Sequence, residues 1–119
     1  MKKAITLIAL AALAGCATTP SDFSEAYRKA AENIAAYPSG AESVPAHQVI
    51  GPVTSNSCDS STLARYAGDT SEAIYLLKLE TAKLGGNVVV GYTCRTKGVD
   101  WVSNCWASKR CEGAAAKLQ

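Results

Sequence analysis

Five cysteines and one histidine are the residues best able to do chemistry in this chain of 119 residues. The cysteines are Cys16, Cys58, Cys94, Cys105 and Cys111, and the histidine is His47. Thiols can exchange electrons, hold metal or close structural disulfides, and their spacing separates these uses. A thioredoxin-like redox site needs Cys-x-x-Cys, which the chain lacks. A structural zinc site shows a pair two to four residues apart. Here the closest pair, Cys105 and Cys111, has five residues between. No metal site and no cofactor are therefore expected. His47 has no placed partner and reads as a solvated strand-edge residue. Gly85-Gly86 follows a helical segment instead of opening one, so it is not a phosphate loop. No catalytic constellation emerges, and the chain is expected not to be an enzyme.

Cys16 stands apart from the other four. Lys2 and Lys3 form a short positive region, and residues 4–13 are an uncharged, mostly apolar run of ten. That length suits the apolar region of an export signal and falls short of the roughly 20 residues that span a membrane. Leu13-Ala14-Gly15-Cys16 then resembles the lipobox of bacterial lipoproteins. The expectation is a signal peptide over residues 1–15, cleavage before Cys16, and lipid on its sulfur.

Setting Cys16 aside leaves four cysteines, an even number that reads as a disulfide framework in a short exported chain. Three pairings are possible. If residues 101–109 form a strand that stays extended, Cys105 and Cys111 lie roughly 20 Å apart at about 3.3 Å per residue. A disulfide needs Cα atoms within about 7 Å. Two pairings stay open: 58–105 with 94–111, or 58–111 with 94–105. Closing loops of these lengths contributes roughly 3–4 kcal/mol each in the chain-entropy picture.

The elements that must position these cysteines follow from periodicity. Residues 21–37 read as an amphipathic helix, with Phe23, Ala26, Tyr27, Ala30, Ala31, Ile34 and Ala35 on one face. It is expected to be an appendage to the domain. Residues 38–45 are a turn-rich linker. His47 to Val53 reads as a strand, and Pro52 within it implies an edge or a bulge. Residues 55–62 form a polar loop carrying Cys58. Residues 70–85 read as a second helix, apolar almost all round and so deeply buried, stopped by Gly85 and Gly86. Residues 87–95 make a central strand rich in valine. Lys97-Gly98 is a turn candidate, residues 101–109 a return strand, and residues 113–118 a small-residue tail able to add a last strand. Trp101, Trp106, Tyr75 and Tyr92 read as core. The fold class is α+β: a small antiparallel sheet of three to four strands, one packed helix, two disulfides and an N-terminal amphipathic helix. The division is 1–15 signal, 16–46 anchor, helix and linker, and 47–119 disulfide-bonded domain.

Removing residues 1–15 also removes Lys2 and Lys3, leaving 10 Lys+Arg against 10 Asp+Glu. No basic surplus remains to neutralise phosphates, so nucleic acid is not an expected partner. Lys109-Arg110 reads as a solvated face.

Three features together resemble one family. The first is Ala82-Lys83-Leu84-Gly85-Gly86-Asn87-Val88-Val89-Val90 followed by Cys94. The second is the run from Cys105 through Trp106, Ala107, Ser108, Lys109, Arg110, Cys111 and Glu112 to Gly113-Ala114. The third is Gly51 with Cys58 upstream. Over about residues 47–118, the chain resembles the RcsF-like outer-membrane lipoproteins, which feed envelope-stress signals into a phosphorelay. The resemblance implies two interleaved disulfides, Cys58 with Cys105 and Cys94 with Cys111, made by the periplasmic oxidation machinery and needed for folding. It also implies an α+β domain with neither enzyme activity nor cofactor. Family members carry a long proline-rich, basic, disordered segment that threads through outer-membrane β-barrels. Here about 30 residues separate Cys16 from His47, and much of that span reads as helix.

The functional expectation is a non-enzymatic envelope lipoprotein that senses or relays stress through protein contacts. The alternative is a structural or assembly lipoprotein of the outer membrane. Ala17, where aspartate would retain the chain, implies transport to the outer membrane with the domain facing the periplasm. Expected partners are the membrane, through lipid on Cys16, and envelope proteins such as outer-membrane β-barrels or an inner-membrane signalling protein. No small-molecule substrate is evident.

Overall fold

A computed structural model describes residues 20–57, 70–97 and 108–119. After a 3-10 turn at Pro20–Asp22 come α1 (Glu25–Ala31), β1 (Ala35–Pro38), β2 (His47–Ser57), α2 (Thr70–Lys83), β3 (Val88–Lys97) and β4 (Ser108–Leu118). The four strands form one mixed sheet in the order β1-β3-β4-β2. β4 runs antiparallel to both neighbours, and β1 pairs parallel to β3. The α+β class is as expected; an all-antiparallel sheet is not what forms.

The second helix explains its own composition. α2 is apolar on two sides because it is covered on two sides. Ala73 and Leu77 face the sheet and pack with Ile34, Val53, Val89, Cys111 and Ala115. Leu76 and Leu79 face the opposite way, against Phe23 and Ala31. The helix stops where expected, through a Schellman closure. Gly85 takes φ +86, its N–H donates to the Ala82 carbonyl, and the Gly86 N–H donates to the Thr81 carbonyl. Gly86 is held to glycine for a second reason: a Cβ there would lie 2.8 Å from the Ala116 carbonyl oxygen and 2.9 Å from Thr81 Cγ2.

The single helix expected over residues 21–37 is instead two elements. Ser24 caps α1 by accepting from the Tyr27 N–H, and α1 ends after seven residues. The next residues turn, and Ala35–Pro38 joins the sheet edge beside Val88 to Tyr92. Two causes compete with helix continuation here. Pro38 disfavours helical backbone at Tyr37, and Ile34 gains a fully packed position in the core, 4% exposed. This stretch is therefore an integral edge of the fold and not an appendage.

The strands also differ in extent from expectation. β2 continues to Ser57 because the serines read as loop fill helix-facing positions. Ser55 Oγ donates to the Ala73 carbonyl at 2.6 Å, and Ser57 Oγ donates to Glu72 Oε1 at 2.6 Å. β2 is an edge strand with a register shift between Val49 and Gly51, so the tolerance expected for Pro52 is met in both ways. Val53 is buried, whereas Val49 is exposed beyond that shift. The tail expected over residues 113–118 is the end of β4, which sits in the middle of the sheet. The return strand expected over 101–109 overlaps β4 only at Ser108 and Lys109; its other residues, with Trp101 and Trp106, lie outside the described residues. Tyr75 and Tyr92 are half-buried against the core.

Candidate functional site

Of the five lipidation and disulfide positions and the histidine, the structure describes three. Cys94 and Cys111 are directly opposed on β3 and β4 and are joined by a disulfide, with Cα atoms 4.0 Å apart. Of the two pairings open on spacing, this bond selects the one containing 94–111. Cys111 is fully buried and belongs to the core; Cys94 packs against its rim. The bond thus ties the two central strands beneath α2. Cys16, Cys58 and Cys105 lie outside the described residues, as does the expected signal peptide. His47 begins the edge strand, half-buried, with Nδ1 2.7 Å from the Pro45 carbonyl oxygen.

Among the described residues no group of three or more His, Cys, Asp or Glu is placed to hold a metal ion. No described helix is long and apolar enough to cross a membrane. A depression on α1 is lined by Glu25, Arg28, Lys29 and Glu32. Glu25, Lys29 and Glu32 are exposed, and the half-buried Arg28 donates to the Phe23 carbonyl. None of them is a nucleophile.

Two surface features were not singled out by sequence reasoning. The first is charged. Arg95 and Arg110 are cross-strand partners, and like charges directly opposed in a sheet repel. Glu112 relieves this by accepting from both guanidinium groups, at 3.4 Å from Arg95 and 3.3 Å from Arg110. Lys109 Nζ also donates to Thr96 Oγ1 at 2.7 Å. The second feature is apolar. Val49, Ile50, Leu84 and Leu118 are exposed large hydrophobic residues, 56%, 44%, 48% and 42% accessible. They converge on one end of the molecule. Ile50 Cδ1 lies 3.3 Å from where a Cβ on Gly86 would sit, just past Leu84. The Leu118 N–H donates to Asn87 Oδ1 at 2.8 Å, and Val49 pairs with Ala116 in the register. The one sequence signal for this end is the adjacent Val49-Ile50 pair before Gly51-Pro52, where a bulge lets consecutive side chains escape alternation.

The geometry defines an α+β domain with a four-strand mixed sheet and a bridged central strand pair. No family model matches the chain. No curated protein matches it either. A solved structure with a similar fold is a protein of unknown function belonging to the DUF74 family, from Pediococcus pentosaceus. It has 16% sequence identity and a TM-score of 0.50, covering 71% of this chain and 96% of that one. At that identity the likeness concerns the fold alone.

Proposed function

We propose that the chain is a non-enzymatic lipoprotein of the bacterial envelope, anchored through Cys16 at the outer membrane, whose domain relays envelope stress through protein contacts in the manner of the RcsF-like family it resembles. The observation that carries the reading furthest is the Cys94–Cys111 bond. It is one of the two bonds that the family resemblance implies, and such bonds belong to an oxidising compartment. The order of positive region, apolar run, small residues and Cys16 supports export and lipidation. The partner bond, Cys58 with Cys105, belongs to the same proposal. Contacts rather than catalysis are the means of action, with envelope proteins as partners and the periplasm as the space the domain faces.

Two measurements test this. Mass spectrometry of the full chain isolated from a Gram-negative host is expected to find acyl chains on Cys16 and a Cys58–Cys105 peptide under non-reducing conditions. Overproduction is expected to switch on an envelope-stress reporter, and Cys16→Ala to alter that output. An unmodified Cys16, or a reporter indifferent to both, overturns the reading.

A further inference from the structure

Four of the five exposed large hydrophobic residues among those described, all but Tyr27, lie at the end of the domain where α2 stops. The turn at Pro20–Asp22 packs on α2, and Phe23 sits against Leu76 and Leu79. The Lys83 ammonium lies 5.4 Å from the centre of the Phe23 ring. The described chain thus begins on the face of α2 that carries Leu76 and Leu79, within reach of the Lys83 side chain that precedes Leu84. Cys16 precedes Pro20 by four residues. At no more than about 3.6 Å per residue, its Cα lies within about 14 Å of Pro20. A lipid on Cys16 would therefore hold this end of the domain close to the bilayer surface.

This end is chemically suited to that position. Val49, Ile50, Leu84 and Leu118 supply exposed apolar surface, and Lys83 and Lys117 beside them are exposed. Apolar side chains rimmed by lysine match a membrane interface, where the former enter the headgroup boundary and the latter meet lipid phosphates. The opposite end of β3 and β4 carries Arg95, Lys109, Arg110 and Glu112 and no exposed large hydrophobic residue among those described. The acyl chains on Cys16 supply the attachment, and a protein surface pressed on the same bilayer adds to it and fixes the orientation of the domain.

We infer that the Val49, Ile50, Leu84 and Leu118 end is a lipid-facing surface that rests on the membrane beneath the Cys16 anchor, which leaves the Arg95 and Arg110 end pointing away from it. The inference rests on the lipoprotein reading. The test uses the full-length lipidated protein reconstituted in vesicles of phosphatidylethanolamine and phosphatidylglycerol. A genetically encoded dansyl amino acid replaces Leu84, Leu118 or Thr96, and nitroxide-bearing lipid is the quencher. All three positions are exposed, so the label leaves the core intact. Quenching at Leu84 and Leu118 is expected to be at least threefold that at Thr96. It is also expected to fall by at least half in the Val49→Asp, Ile50→Asp variant. Equal quenching at all three positions overturns the inference, as does protection of Leu84 that tracks protein concentration and so reports a second copy. Lipid found on Cys16 with no quenching at Leu84 overturns this orientation alone. An unlipidated Cys16 overturns the lipoprotein reading with it.

Discussion

Cys94 and Cys111 illustrate how much a single register position decides. The two residues are opposed on adjacent strands, with Cys111 wholly enclosed. Replacing both by serine removes the loop closure and leaves a hydroxyl where the sulfur of Cys111 packed. The sequence separation is 17 residues, for which the chain-entropy picture gives about 3 kcal/mol. The double variant is expected to lose about that much in denaturant unfolding, with the single Cys111→Ser at least as damaging because it also strands a thiol. Gly86 makes the complementary point. A methyl there meets the backbone oxygen of Ala116 at 2.8 Å, which cannot rotate away. Gly86→Ala is expected to cost about 1–3 kcal/mol, in the range of overpacking, and to lower the thermal midpoint. Cysteine count made the disulfide class legible from sequence, whereas the close approach at Gly86 depends on β4 crossing there, which the sequence read as a tail.

At the scale of elements, α2 holds the fold together because it serves two interfaces. Its all-round apolarity was legible, and so were its burial and its glycine stop. What it touched was not. Leu77 packs into the sheet, and Leu79 packs beneath Phe23 and Ala31; both are fully buried. Leu77→Ala is expected to cost about 2–5 kcal/mol of global stability. Leu79→Ala is expected to loosen the Phe23 contact as well, visible as faster amide exchange across α1 than Leu77→Ala produces at equal stability. The two misread strands share a cause. β1 is Ala-Ala-Tyr-Pro and β4 holds Gly113 and three alanines. Alanine, glycine and proline are poor strand formers by propensity, and alanine is helix-favouring. Here small size matters more than propensity. Ala115 is completely buried beneath α2, where a larger side chain would hold the helix off. Alternation at Val53, Ser55 and Ser57 was likewise hidden, since a buried serine is marked by its hydrogen bond and not by its hydropathy.

Across the whole molecule, the features divide between two ends: exposed apolar side chains with the first described residues at one, and the Arg95, Arg110 and Glu112 cluster at the other. The strand order has a further consequence for timing. β4 comes last in the chain yet lies between β3 and β2. Of the three strand pairings in the described sheet, only the short parallel contact of β1 with β3 exists without it. A chain delivered N-terminus first, from a ribosome or through an export channel, therefore cannot assemble its sheet until residues 108–118 have emerged. Premature burial is avoided by topology, and the thiol of Cys94 must wait for Cys111 to arrive.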